Sequence, residues 1–445
     1  MFKIASVNME ESEKIESEFS AFYTLAKIFN SDNELRSTLY EYFKNKPEYF
    51  DRLASIEYAQ KGRKGDFVNK DNSKLLFGEN ISVSASKLDK FYRCPFSFLC
   101  QYGFEIDELK KAELKPNDSG TIIHGVLEEV LKAYKGADFL DAPKEELEKF
   151  VKDYLNKYLD EKMGGIQEKS KRFMYIYNRM VNTLMMIFER LKVEFASVDF
   201  KPVDFELSIG KKIPAYTLPL DEGEISVKGS IDRVDLMEKD GLSYIRVIDY
   251  KTGVKEFRLA NLFSGINLQM VIYLMALNKN GENYYKNIVP AGVLYMPSRI
   301  GISGYLKMRN PSSEHVEAQK NASGKLSGMV LNSPVVFNGM GVDKLHNYLP
   351  VSYTKDKKLT GNCYSQKQFD LLSERVDNKI VGMGNSLHKG EFSVCPTGST
   401  EDELPCKYCG YRSICGFEEG EPFNKLCGGK HGEALARLEG GDDNE

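Results

Sequence analysis

Between Gly229 and Gly253 the chain carries a pattern that an antiparallel hairpin satisfies and little else does. Asp240-Gly241 is a two-residue turn signal, and alternating apolar and polar residues flank it on both sides. With the turn there, Lys239 faces Leu242, Val234 meets Val247, Leu236 meets Ile245 and Asp235 meets Arg246. Apolar residues meet apolar ones and an acid meets a base, as stable cross-strand pairing requires. One pair breaks the rule. Asp232 faces Asp249, and directly opposed residues have Cβ atoms roughly 4.5–5.5 Å apart. Carboxylates that close repel unless something neutralises them, and a hard divalent cation such as Mg2+ or Mn2+ is the natural neutraliser. Lys251, two residues beyond Asp249, points to the same face. There it can position or deprotonate a water, or stabilise charge developing on a phosphate. Metal, carboxylates and lysine together are equipment for phosphodiester hydrolysis. An isolated Asp-x-Lys reads more simply as solvent-facing charge; the opposed Asp232 sets this one apart. Asp235 looks like a ligand, but Arg246 opposite it gives it a structural role.

Around the hairpin the texture is mixed α/β. Residues 1–76 read as a helical, polar segment, with Phe19, Phe22, Leu25, Ala26 and Phe29 at helical spacing and no chemical motif. Residues 61–74, rich in Lys, Gly, Asp and Asn, read as an exposed linker. Helices are predicted at 119–135 (Ser119 as N-cap, Gly136 as stop), 144–157, 169–196, 265–278 and 365–388. Strands are predicted at 204–209, 225–237, 243–250 and 292–296. Residues 300–360 are loop-rich, and 429–445 read as a flexible tail, leaving 77–428 as the main domain. No apolar run approaches the roughly 18–20 residues that span a bilayer, and the N-terminus has no signal-peptide core. The expectation is a cytoplasmic chain without a membrane partner. Its net charge of -4 means that a nucleic-acid partner would need locally concentrated positive charge.

Two helices carry polar residues among apolar ones. His124 lies on a helix with the apolar stripe Ile123, Val126, Leu127, Val130, Leu131, with Glu128 one turn later. A lone histidine in such a setting is more often a surface or core residue than a ligand. Gln269 and Tyr273, four apart on an otherwise apolar helix, need polar partners: they form a hydrogen-bonded core pair, or they orient a substrate or Lys251. The cysteines give a third signal. Cys406, Cys409 and Cys415 form a C-x2-C-x5-C cluster, one thiolate short of the four that zinc and iron–sulfur sites both use. Cys94, followed by Pro95 and 312 residues upstream of Cys406, is the candidate fourth ligand; Cys395 and Cys427 are its rivals. Zinc usually finds its fourth ligand nearby, and a three-plus-one split at this separation is unusual for it.

Taken together, these residues resemble the C-terminal nuclease domain of the AddB subunits of bacterial AddAB helicase–nucleases, over about residues 76–417. The resemblance rests on Ser82-x-Ser-x-Ser86 with Tyr92-x-Cys94-Pro-Phe96, on Gly120-x3-His124-x2-Leu-Glu128 and on Gly229-x2-Asp232-Arg. It continues through Asp249-Tyr-Lys-Thr-Gly253, Gln269-x3-Tyr273 and Pro405-Cys-x2-Cys-x5-Cys415. It implies a PD-(D/E)XK, restriction-endonuclease-like core: a central mixed sheet flanked by helices, with an iron–sulfur cluster stapling its ends. It implies His124, Asp232 and Asp249 as Mg2+ ligands, Lys251 as the catalytic lysine, and Gln269 and Tyr273 as supporting residues. Cys94, Cys406, Cys409 and Cys415 would hold a [4Fe-4S] cluster. The implied activity is DNA exonuclease action on one strand at a duplex end, beside an AddA-like motor protein. In full length, AddB has a large helicase-like region before its nuclease, so residues 1–76 are expected to be the tail of that region. No G-x4-G-K-[ST] occurs, so ATP hydrolysis is not expected of this chain. Two other readings stand beside it: a stand-alone cluster-bearing nuclease of the CRISPR-adaptation kind, and an inactive scaffold that binds DNA ends.

Overall fold

The computed structural model describes residues 17–29, 34–60, 69–106, 116–134, 137–163, 171–251, 256–297, 325–345, 348–418, 420–426 and 431–440. Its main sheet takes, in chain order, β1 (Ile81–Ser84), β2 (Lys201–Ile209), β3 (Tyr216–Pro219), β4 (Glu224–Lys239), β5 (Leu242–Lys251), β6 (Ile288–Pro297), β7 (Ser327–Leu331) and the short strand Cys363–Tyr364. The long strand β4 organises it. The first half of β4 pairs parallel with β1 and antiparallel with β3; the second half pairs antiparallel with β2 and β5. β5 continues parallel to β6, and β6 antiparallel to β7. The β4–β5 turn has Asp240 at φ 54° and Gly241 at φ 75°, the positive angles a tight hairpin turn requires. The register is the predicted one, from Lys239 opposite Leu242 to Arg233 opposite Ile248.

The helices are α1 (Glu18–Ile28), α2 (Glu34–Lys44), α3 (Phe50–Gln60), α4 (Lys70–Phe77), α5 (Ala85–Arg93), α6 (Pro95–Phe98), α7 (Pro116–Ala133), α8 (Ala137–Asp141), α9 (Lys144–Met163), α10 (Lys171–Ser197), α11 (Leu259–Phe263), α12 (Gln269–Asn280), α13 (Gln366–Lys389) and α14 (His431–Gly440). Two of them flank the sheet where function is expected. α7 turns Ile123, Val126, Leu127, Val130 and Leu131 inward. α12 is apolar all round and buried from Met270 to Leu277, against β5 and β6. α13 starts with a capping box between Ser365 and Gln368 and ends at Gly390 in the left-handed region.

Four boundaries differ from expectation. α1–α3 do form a small core of their own around Leu25, Leu39, Phe43 and Leu53. However, α4 lies across the expected linker and domain boundary. Asn69 caps it, buried Ser73 donates to the Leu387 carbonyl, and Phe77 stacks on Phe98, so α4 belongs to the main body. Residues 61–68 of the expected linker lie outside the described residues. α7 begins at Pro116, so Ser119 is inside the helix rather than its cap. The predicted stop, Gly136, lies outside the described residues. The region expected to be loop-rich contains β7 and two short helices, Pro334–Gly339 and Val342–Leu345. The expected flexible tail contains α14, with Ala434 and Leu438 buried against α11 and α13. Two apolar residues spaced i,i+4 suffice to seat so short a helix once a groove exists for them. No helix among the described residues is long and apolar enough to cross a membrane.

The two faces of the β4–β5 ribbon differ in kind. One carries Asp232 and Asp249. The other carries Arg233, Asp235 and Arg246, all fully buried. Asp235 accepts from Arg233 and Arg246 at 2.9 Å, and Glu194 of α10 accepts from Arg246 at 2.6 Å. Two fully buried arginines thus face the carboxylates of Asp235 and Glu194, with Arg190 near Glu194. The predicted Asp235–Arg246 pair is present, with Arg233 and Glu194 as members that sequence pairing did not reveal.

Candidate active site

Strand register assembles the site. Asp232 and Asp249 follow the last ladder pair, Arg233–Ile248, and the Tyr250 N–H donates to Asp232 Oδ2 at 2.9 Å. On the far side of β4, Phe205 pairs with Arg233 and Leu207 with Ile231, which sets Glu206 opposite Asp232. On the far side of β5, Asp249 pairs with Tyr295 of β6, and Tyr295 with Ser327 of β7. Directly paired residues share a face. A polar row therefore crosses five strands: Glu206, Asp232, Asp249, Tyr295, Ser327.

His124 reaches this row from α7. Its Nδ1 lies 3.4 Å from Asp232 Oδ2 and its Nε2 lies 2.7 Å from the Tyr250 carbonyl oxygen. His124, Glu206 and Asp232 each offer a ligand atom, all within 4.8 Å of one another. Glu206 is held there by a hydrogen bond from the Ser230 hydroxyl at 2.7 Å, with its own backbone at φ 46°. A non-glycine residue in the left-handed region within a strand is strained, and such strain concentrates at functional sites. Asp249 is 2% exposed, with Lys251 Nζ 2.5 Å from its Oδ2. Burial first, and then the charge of Asp249, raise the Asp232 carboxyl to about 7; His124 and the Tyr250 N–H pull the other way. Burial and the facing carboxylate thus both favour the protonated acid, and a divalent cation would favour the ionised one. The donor set, carboxylate oxygens and one imidazole, suits such an ion.

Gln269 and Tyr273 lie together beside the carboxylates. Burial pushes the Tyr273 phenol up to about 12 and the charges of Asp249 and Asp232 add to the rise, while the Gln269 side chain and the Ser230 backbone pull it down. That hydroxyl presses on the strand at Gly229, where a Cβ would come within 2.1 Å of it. The glycine three residues before Asp232 is there to admit Tyr273.

The four expected cysteines meet at a second place. Cys94, Cys406, Cys409 and Cys415 line one cavity of about 210 Å³, together with Lys90, Arg93, Phe96, Tyr411 and Phe417. Neither Cys100 nor Cys395 lines it, although Cys100 packs in the same apolar cluster. Cys427 lies outside the described residues. Burial raises the Cys94 thiol to about 11, with the nearby Cys406 and Cys409 adding to the rise. Neighbouring thiols thus make each further ionisation harder, a cost a bound cation relieves.

The profile of the PD-(D/E)XK nuclease superfamily matches residues 82–416, which include every residue of both sites. The chain belongs to that superfamily. Among its relatives, the B subunit of the ATP-dependent helicase/deoxyribonuclease of Clostridium acetobutylicum is 31% identical over 364 residues, 79% of this chain and 31% of that protein. The protein of the same name from a Thermoanaerobacter species is 30% identical over 412 residues, 88% of this chain and 35% of its own length. That of Listeria welshimeri is 29% identical over 379 residues, covering 82% and 32%. The chain thus spans about a third of the length of these relatives.

Within this nuclease fold the hairpin register stands, and the company around it differs in two respects. Glu128, expected beside His124, pairs with Lys132 and is not part of the row. Thr252 and Gly253 lie outside the described residues. Glu206 and Tyr295 join the site unforeseen. Glu206 sits in an alternating Phe-Glu-Leu stretch, but no short turn links β2 to β4, so no register could be counted. Tyr295 lies on a strand parallel to β5, where the crossover likewise erases any register signal.

Proposed function

We propose that this chain is the metal-dependent deoxyribonuclease domain of an AddB-like helicase–nuclease subunit. The observation that carries this reading is the opposed pair Asp232 and Asp249, with Lys251 beside one carboxylate and His124 beside the other. His124, Asp232 and Asp249 would hold Mg2+ or Mn2+, with Glu206 within reach. Such an ion supplies Lewis acidity to a phosphoryl oxygen and to water. The chain's own residues do the rest. Lys251, held 2.5 Å from Asp249, presents an ammonium on the site face, where it orients the attacking water or offsets charge growing on the phosphate. Tyr273, with Gln269 beside it, packs its hydroxyl against the strand leading to Asp232 at Gly229.

Cys94, Cys406, Cys409 and Cys415 would hold a [4Fe-4S] cluster. All four line one cavity, and a [4Fe-4S] cluster takes four thiolates. In the full assembly, the reading is an exonuclease acting on one strand at a DNA end beside an AddA-like motor. The test is cleavage of labelled single-stranded and nicked duplex DNA in Mg2+, in Mn2+, in Ca2+ and in excess chelator. Cleavage in Mg2+ or Mn2+ and none in chelator supports the reading; robust cleavage in chelator ends it.

A further inference from the structure

The start of α12 matters because its first residue is Gln269, which lies beside Tyr273 near the carboxylates. That start is poorly held from within. Its N-cap, Leu268, has no side chain able to bond the open N–H groups, and Asn267 just before it stands at φ 62° in the left-handed region. The segment leading into α12 is held instead by another helix. Asp89 of α5 accepts the Asn267 N–H on Oδ1 at 2.8 Å. Its other oxygen, Oδ2, accepts from Arg93 Nε at 2.7 Å. Arg93 in turn forms part of the wall of the cysteine cavity, and the next residue, Cys94, ends α5. One carboxylate therefore touches the backbone that aims Gln269 and the side chain that borders the cysteines. An anion at a helix N-terminus is also favoured by the helix dipole.

We propose that Asp89 is a positioning residue for the nuclease reaction, fixing the start of α12 and tying it to the cysteine-lined wall through Arg93. This rests on the nuclease reading above. It assigns Asp89 no contact with substrate: it acts through Asn267 and Gln269. Arg93 orients the carboxylate, so its loss has a smaller effect than loss of Asp89 itself.

The test uses the 445-residue chain and the variants Asp89→Ala, Asp89→Asn, Arg93→Ala and Gln269→Ala. Two readouts are taken: hydrogen exchange of the segment 266–274, and Mg2+-dependent cleavage of a labelled single-stranded oligonucleotide. Asp89→Ala is expected to speed exchange in that segment and to lower kcat about tenfold, the size of one charge-assisted hydrogen bond, with KM within about twofold. Combined with Gln269→Ala it should lower kcat no further than Gln269→Ala alone, because both act through one element. Asp89→Asn keeps an acceptor oxygen without the charge, and should lose only about two- to threefold. Arg93→Ala should fall between Asp89→Asn and the parent. Unchanged exchange over 266–274 in Asp89→Ala, or fully additive loss in the double variant, overturns the proposal. Should Asp89→Ala not fold, the Asn variant decides alone: exchange and kcat equal to the parent's overturn it. A parent chain that does not cut in Mg2+ or Mn2+ removes the nuclease reading instead, and the exchange result still decides whether Asp89 holds α12.

Discussion

The carboxylate row and the cysteine cavity are built by opposite means. Asp232, Asp249 and Lys251 lie within twenty residues, on two strands whose pairing sets their spacing. Beneath them, Arg233, Asp235, Arg246 and Glu194 form a buried ionic network that locks the same two strands from the other face. The cysteines come from segments 312 residues apart, on short helices and loops. Around them pack Phe96, Leu404, Tyr411 and Phe417, with the cations Lys90, Arg93 and Arg412 on the cavity wall. A site on paired strands is in place before any ligand arrives, while one gathered from distant loops leans on its ligand for rigidity.

The sharpest way to break this comparison is to remove the row. Asp232→Ala, Asp249→Ala and Lys251→Ala are each expected to lower Mg2+-dependent cleavage at least about a thousandfold, as loss of a metal ligand or of a transition-state charge does. Folding should survive, since the strands keep their ladder, and Asp232→Ala removes a like-charge contact. Circular dichroism and a cleavage assay on the same samples check both halves. An Asp232→Ala protein that cuts normally would mean the row is not catalytic.

Next in size is the network beneath. Asp235→Ala leaves Arg233 and Arg246 buried with one anion fewer, and should cost about 3–5 kcal/mol in urea unfolding. Replacing Leu242, an exposed residue at the other end of the same ladder, should move stability by less than about 0.5 kcal/mol.

At the cavity, Cys94→Ala and Cys409→Ala should lower the thermal midpoint by about 5 °C and retain part of the Mg2+-dependent cleavage. Limited proteolysis should find new cuts near residues 87–98 and 406–415 together, although these segments are remote in sequence. Iron and zinc content of protein purified without oxygen completes this test. A Cys94→Ala protein with full metal content and unchanged proteolysis would place the fourth ligand elsewhere.

The smallest effect concerns pH. Asp232 is raised from 3.8 to about 7 in the folded chain, so between about pH 4 and 7 the native state holds a proton that the unfolded state has released. Stability of the metal-free protein should therefore decline as pH rises through that window and level off above about 7, with a slope of at most one proton. Mg2+ binds the ionised form, so its affinity should rise over the same window and flatten the decline. In Asp232→Asn the slope from this group should vanish.

How much of this was legible in the sequence follows from which distances are local. The hairpin register could be counted because a two-residue turn leaves no freedom, and Asp240-Gly241 names that turn. Amphipathic and fully apolar helices were visible by their periodicity, so α7 and α12 were expected within a few residues of where they stand. The meeting of Cys94 with the trio was suggested by a family resemblance, not by spacing. Long-range register is what no local pattern encodes. Glu206 entered the row because β2 happens to pair with β4 one step from Asp232, and Tyr295 because β6 runs parallel to β5. Glu194 reached the arginines only through the packing of α10. α14, read as a flexible tail, became a helix because α11 and α13 offered Ala434 and Leu438 a groove. The sequence by itself determined the opposed carboxylates, the lysine beside them and the apolar faces that bury the sheet, since each depends on turn geometry or on period. Tertiary structure alone decided the company these residues keep, because contacts between distant segments are selected by the free energy of the whole packed core, and no short stretch of chain contains that information.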